Sequence, residues 1–336
     1  MDGPVSDAPA DGMELAANRL AELLNGSATT LSDSSAVASM LEFETTVTLR
    51  ALARHPIAPD AWAVDGGQAM IADARCLQLM VTRAARVRFH DGACVVEDEG
   101  PLHACLLGGD HERRAALDAL GLDVLADDTS VDINLLRDRW EWDAVARCIE
   151  EAEPGSLVLV DGDLQPDWRI PSSFLAALLT RAEARGVVPI GVTKHSSLSR
   201  GGAPLIGQLE REAESTYGPR AMWWAPIART RGDVGHGGVQ VVAARLDPDA
   251  RFAFRVDLPA SVEPEAVLGM LASLCDDAAF PGYPYPLSVA DRLAACPGWL
   301  RAETRSRLDE LLETAGVPLE VRDRAFADRH NLMERV

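Results

Sequence analysis

The sequence predicts an α/β protein: a mixed β-sheet with helices on both faces, extended by helical segments at its two ends. Three observations carry this. Short apolar runs (AWAVDGG from residue 61, LVLVDG from 157 and VVPIGVT from 187) are separated by helix-length amphipathic stretches, the pattern of βαβ units. CLQLMVTRAARVRFHDGACVVED places Asp91-Gly92 between two strand-like runs, so part of the sheet is antiparallel. The helical stretches end on Gly or Pro-Gly, as helices do.

Taken in order, residues 1–12 read as a disordered tail and 13–57 as an N-terminal helical extension. Within that extension MELAANRLAELLNG is one amphipathic helix, and SSAVASMLEFETTVTLRALARH a second, capped by Ser34 or Ser35. A single catalytic domain is expected over 58–297, beginning with the AWAVDGG strand and the hairpin. GGDHERRAALDALGL is a short helix or a variable connection. SVDINLLRDRWEWDAVARCIEEAEPG is a long helix with an apolar stripe of Ile133, Leu136, Trp140, Ala144 and Cys148, stopped by Pro154-Gly155. LVLVDG is a strand, SSFLAALLTRAEARG a helix and VVPIGVT a strand. Residues 200–236, rich in Gly, Arg and Trp, read as an inserted loop region. GGVQVVAARLD and FAFRVDLP form a further strand pair; EPEAVLGMLASLCDDA and LSVADRLAAC are helices; 298–336 is a C-terminal helical segment.

Composition excludes several classes. No apolar run is long enough to span a membrane, and the N-terminus has neither the basic nor the apolar region of a signal peptide, so a cytoplasmic protein is expected. Six scattered cysteines without a CxxC pair argue against a zinc site or a disulfide framework. No GxGxxG opens a helix after a strand, and the single lysine, Lys194, follows Thr193 rather than Gly; neither a dinucleotide site nor a P-loop is present. The formal charge of −20 works against phosphate binding, unless metal ions offset carboxylates locally.

Chemistry is expected where strands of a parallel sheet end. Asp65 and Asp161 each follow an apolar run and precede glycine. Singly, each Asp-Gly is a turn signal; together, on neighbouring strand ends, the two carboxylates would repel unless a hard divalent cation such as Mg²⁺ or Mn²⁺ sits between them. Two such ions about 4 Å apart form the clamp used in phosphodiester hydrolysis. Glu141, beside Trp140 on the long helix, is a candidate third ligand or, equally, an ion-pair partner of Arg137; Asp132, Asp138 and Asp143 are weaker rivals. Asp163 reads as a surface residue, and His195, Ser196 and Ser197 carry no evident relay. Trp223 and Trp224 could stack on bases, although one of the two is expected in the core. Arg200, Arg220, Arg229 and Arg231 surround them as a candidate DNA-tracking surface.

These residues resemble a known family. VDGG at 64–67, LVLVDGDL at 157–164, GVTKHSSLS at 191–199 and GYPYPLSVADRLA at 282–294, in that order, are similar to the motifs of the NurA nucleases of DNA end resection, which have a ribonuclease H-like fold. The resemblance spans roughly residues 60–297. It implies metal ligation by Asp65, Glu141 and Asp161, with Glu141 matched only by its helix. Tyr283 matches the family's tyrosine, and Asp291 stands where the family usually has histidine and would complete a four-carboxylate set. Lys194 would hold or neutralise a phosphate. The implied protein is a Mn²⁺- or Mg²⁺-dependent nuclease with two ions, cutting single-stranded DNA and digesting duplex ends 5′ to 3′. It would be a nucleoid-associated homodimer, coupled to a HerA-type hexameric translocase in double-strand break repair. The rival is a catalytically weak adaptor of the same fold that docks on the translocase.

Overall fold

The structure, a computed structural model, describes residues 12–26, 29–34, 40–121, 131–165, 169–231 and 238–327. It opens with α1 (Gly12–Asn25) and three short strands, β1 (Leu31–Asp33), β2 (Leu41–Phe43) and β3 (Arg50–Ala51). An antiparallel block follows: β4 (Ala61–Asp73), β5 (Gln78–His90), β6 (Ala93–Asp98) and β7 (His103–Leu107). Next come α2 (Asp110–Leu120), α3 (Ile133–Glu151), β8 (Leu157–Asp161), α4 (Ser172–Ala184) and β9 (Val188–Thr193). The remainder is β10 (Leu198–Arg200), β11 (Ala203–Pro204), α5 (Leu205–Tyr217), β12 (Trp223–Thr230), β13 (Val239–Arg245), β14 (Phe254–Pro259), α6 (Pro264–Ala272), α7 (Tyr285–Ala294), α8 (Gly298–Thr314) and α9 (Leu319–Phe326).

The main sheet runs β2-β12-β13-β14-β9-β8-β4-β5-β6, with β3 beside β12 and β7 beside β5. β4, β8 and β9 are parallel to one another, and the other pairs are antiparallel. β1, β10 and β11 form a small separate sheet. Alternation sorts the side chains of the parallel strands into two cores. Ala61, Ala63, Leu157 and Leu159 pack with Leu268 of α6 and Leu287 and Ala290 of α7. Trp62, Val64, Val158 and Val160 pack with Trp142, Val145 and Ile149 of α3 and Leu178 and Leu179 of α4. Helices therefore cover both faces, as expected.

Three expectations are corrected. First, β4 does not end at Asp65 but continues to Asp73, because β5 pairs with it along its whole length. Only β8 ends on its aspartate. Second, the extension over 13–57 is helical only as far as Asn25; β2 and β3 pair with β12 instead. The β-branched run Thr45-Thr46-Val47-Thr48 disfavours a helix, and β12 supplies an edge to pair with. The disordered-tail expectation and the Ser35 cap fall on residues 1–11 and 35–39, outside the described residues. Third, 200–236 is not an inserted loop. It contains α5 and β12, and β12 lies inside the sheet. Trp223 and Trp224 are both buried, one on each side of that strand: Trp223 packs with Leu205 and Leu209 of α5, and Trp224 with the α6 side of the core. Base stacking by either is excluded by that burial. β7 was not anticipated; α8 and α9 fall in the helical segment expected over 298–336.

Two glycines let helices close on β4. On the α7 face, a Cβ at Gly67 would lie 1.9 Å from the Ala294 carbonyl oxygen. That oxygen and the one of Ala295 also accept bonds from the buried Arg83, at 3.2 and 2.6 Å, which caps α7. Backbone on both sides leaves no room to relax, so Gly67→Ala is expected to destabilise the protein by about 1–3 kcal/mol. The urea unfolding midpoint measures it; an unchanged midpoint would mean that α7 does not need this close approach.

Candidate metal centre

The register of β4 and β8 builds the site. Val64 pairs with Val160, so Asp65 and Asp161 are the next residues along two adjacent parallel strands, on the same face. That face is covered by α7, which brings Asp291 over the strand ends. One carboxylate oxygen from each of Asp65, Asp161 and Asp291 lies within 4.8 Å of the other two. Asp65 is buried at 7% exposure, Asp161 is partly buried and Asp291 is exposed, so the cluster opens to solvent on one side.

Glu141 arrives from the opposite face. It projects from α3 into the space that a side chain at residue 66 would fill: a Cβ on Gly66 would meet its Oε1 at 1.9 Å. The space beside the two glycines of DGG is thus filled by this protein's own Glu141 and α7. Arg137, one turn earlier on α3, lies with its Nε 3.0 Å from Glu141 Oε1. The ion pair and the approach to the cluster therefore coexist. The rival acids have other tasks: Asp132 caps α3 by accepting from Leu135 N at 2.9 Å, and Asp143 pairs with Arg139.

The loop after β8 is held from below. Gly162 leaves the strand with a φ of 128°, which only glycine adopts readily. Gly191 of β9 has no Cβ, which would otherwise lie 2.5 Å from Leu164 N. Leu164 N donates to the buried Asp257 Oδ2 at 3.2 Å, and Asp257 is paired with the buried Arg255 at 2.8 Å. Arg255 also lies 3.6 Å from Asp163 and 3.3 Å from Asp33, so Asp163 is part of a network rather than a free surface acid. This network was not legible in the sequence, because Asp33, Asp163 and Arg255 are far apart along the chain.

Lys194 follows β9, next to β8. Its Nζ donates to Asp161 Oδ2 at 2.7 Å and Asp291 Oδ1 at 3.4 Å, and it sits 5.0 Å from the Tyr283 ring centroid. Tyr283 is buried at 6% exposure, and its hydroxyl has no hydrogen-bond partner. The charges of Asp161, Asp65 and Asp291 all act on that phenol.

The electrostatics follow from crowding. Burial first, then Asp161 and Glu141, push the Asp65 carboxyl up to about 9. Burial, against the opposing charge of Arg137, pushes Glu141 up to about 8. Burial and then the Asp161 and Asp65 charges hold the Tyr283 phenol well above its ordinary value, so it remains a donor. Burial works against the Lys194 charge, but its bond to Asp161 and the charges of Asp161, Asp291 and Asp65 outweigh it and raise the ammonium. Crowded, desolvated carboxylates of this kind are stabilised in their ionised form by a cation.

The four arginines do not converge here. Arg200 pairs with Glu212, Arg220 with Asp249 at 2.6 Å and Arg229 with Glu44 at 3.5 Å; Arg231 donates to the Leu41 carbonyl at 3.1 Å. Arg229 lines a cleft with Val187 and Val188, at the start of β9. Lys194 follows the other end of that strand, roughly 20 Å away.

Fold and site together define a class: a ribonuclease H-like α/β protein with a carboxylate cluster on one face of its central parallel strands. The chain shares its fold with the NurA nuclease from Sulfolobus solfataricus, with a TM-score of 0.52 and 14% identity over 90% of this chain and 95% of that one. A second NurA structure is similar at a TM-score of 0.40 and 9% identity, over 72% of this chain and 85% of that one. The catalytic domain of human endonuclease V is similar at 0.40 and 15% identity, over 93% of this chain and all of that one. No protein-family profile matches the chain, and neither does any curated protein. Among the described residues, no helix is long and apolar enough to cross a membrane.

Proposed function

We propose that this chain is a divalent-metal-dependent nuclease that hydrolyses phosphodiester bonds of DNA. The observation that carries the reading is the convergence of Asp65, Asp161 and Asp291 within 4.8 Å on one face of the adjacent parallel strands β4 and β8. Those oxygens fit a hard cation: they are carboxylates, they are crowded, and Asp65 is pushed far above its ordinary value without one. Mn²⁺ or Mg²⁺ would be held at this cluster by Asp65 and Asp161, with Asp291 at its exposed rim and Glu141 behind Gly66. When bound, such an ion polarises the phosphate and lowers the pKa of a water nucleophile.

The protein's own groups do the rest. Lys194, half exposed beside Asp161, can hold a non-bridging phosphate oxygen of the substrate. Tyr283, kept protonated, is a fixed hydrogen-bond donor facing the same place. Arg137 favours the ionised form of Glu141 against the burial that raises its carboxyl. The finer reading is single-stranded endonuclease and 5′-to-3′ exonuclease activity in DNA end resection, in the cytoplasm, with a homodimer served by a HerA-type translocase. It rests on the motif resemblance and on the shared fold. The translocase would deliver DNA to a chain whose formal charge of −20 repels it. Arg200, Arg220, Arg229 and Arg231 are proposed to meet that DNA outside the cluster.

The test is cleavage of labelled single-stranded DNA by the purified chain in Mn²⁺, beside Asp65→Ala. Cleavage by the wild type alone is expected. Equal cleavage by both would remove the cluster from the chemistry, and no cleavage by either, together with no Mn²⁺ binding, would favour the adaptor reading.

A further inference from the structure

We infer that Lys194 takes the place of one of two cations, so that the centre holds a single divalent ion. The inference rests on the metal-dependent reading above and concerns how that site is built. In a two-ion centre a shared carboxylate bridges ions about 4 Å apart, and each ion has a further acid of its own. Asp161, within 4.8 Å of both other acids and bonded to Lys194 at 2.7 Å, is the residue we take as shared. One position would be held by Asp65 and Asp161, with Glu141 filling the space beside Gly66 behind them, outside the 4.8 Å cluster. The other lies between Asp161 and Asp291, and there the Lys194 ammonium bonds both carboxylates, at 2.7 and 3.4 Å.

The lysine is held there from three sides. Two are the acids themselves. The third is the face of Tyr283, 5.0 Å from Nζ, which favours a cation at that distance. Tyr283 is itself buried at 6% exposure, with an unpartnered hydroxyl under the charges of Asp161 and Asp65. That hydroxyl faces the Asp161 carboxylate and can donate to it or to a ligand oxygen in the centre. Charge points the same way. Once a cation ionises all four acids, Asp65, Glu141, Asp161 and Asp291, the charges of Arg137 and Lys194 offset two of theirs and leave two, the amount one divalent ion neutralises.

Asp291 thereby gains a specific role. It is exposed, and it bonds Lys194 rather than Arg292 or Arg255. An acid at this position keeps the ammonium in place, which a neutral imidazole would do less strongly. Asp291 is then a positioning residue for Lys194, and Asp65 and Asp161 are the ion's own ligands.

The experiment counts ions on the full-length, metal-stripped chain, without DNA, by titrating Mn²⁺ and recording its electron paramagnetic resonance. The wild type is expected to bind one Mn²⁺ per chain, with the spectrum of an isolated ion. Lys194→Met, which keeps the side-chain length and removes the charge, is expected to bind two, with the broadened spectrum of a coupled pair. Asp291→Asn is expected to keep its single ion. Two ions on the wild type, or loss of the ion in Asp291→Asn, would overturn the inference while leaving a metal-dependent enzyme intact. An ion count unaffected by Asp65→Asn would instead sink the metal centre itself, and the inference with it.

Discussion

Asp161→Asn is expected to lower phosphodiester cleavage by about 10³-fold while leaving the fold in place. The asparagine is isosteric and stands at the last position of β8, where its backbone bonds to β9 do not depend on the side chain. What is lost is charge. Asp161 is the acid that contacts Lys194 at 2.7 Å and shares the cluster with both Asp65 and Asp291. Charge stabilisation by a bound metal is worth several kcal/mol in the transition state, and each 1.4 kcal/mol is a factor of ten in rate. The comparison is kcat on labelled single-stranded DNA in Mn²⁺, alongside the thermal unfolding midpoint of each protein. A variant that cuts at the wild-type rate would show that the strand-end aspartate takes no part in the reaction.

Asp65→Asn should do the opposite to stability of what it does to function. In the metal-free protein Asp65 is buried, and its carboxyl is pushed up to about 9 by burial, Asp161 and Glu141. In the unfolded chain it titrates near 4. A group raised in this way holds its proton in the folded state after the unfolded chain has released it. Stability is therefore complete below about pH 4 and falls as the pH rises towards 9. Asparagine removes that penalty, so at pH 7 the metal-free variant is expected to be about 2–4 kcal/mol more stable than the wild type. For a chain of this size that is several degrees in Tm, and the difference should shrink towards pH 4. Mn²⁺ offsets this difference: at one hundred times its Kd it adds about 2.7 kcal/mol to the wild type and nothing to a variant that cannot bind it. Thermal scans of both proteins across pH, with chelator and with Mn²⁺, measure this. A variant less stable than the wild type in chelator would mean that Asp65 forms a favourable native interaction instead.

The acids illustrate how far the sequence could be read. Asp65 and Asp161 were legible because each follows an apolar run, and such runs become adjacent strands. The register that makes them neighbours, Val64 against Val160, was not. Glu141 could be placed on its helix by periodicity, but its route to the site depends on a missing side chain at Gly66, on another element. The Gly-Gly that read as a strand exit proved to be the interior of a long strand with a helix close on each face. Residues 200–236 misled for a related reason: glycines and arginines masked the strand, and the tryptophans of β12 are apolar on both sides because β12 is covered on both sides.

By itself, the sequence determined the alternation of strands and helices, the absence of P-loop and GxGxxG motifs, and which acids were candidates for the site. These are local properties: periodicity, turn chemistry and residue type act over a few neighbouring positions. Tertiary structure alone decided that Lys194 lies between Asp161 and Asp291, that Tyr283 is buried beneath it, and that the arginines are spread over the surface in separate ion pairs. The reason is one of distance. Electrostatic and packing contacts act over a few ångströms, while Asp65, Glu141, Asp161, Lys194 and Asp291 are far apart along the chain and meet only when β4, β8 and β9 align and α7 closes over their ends.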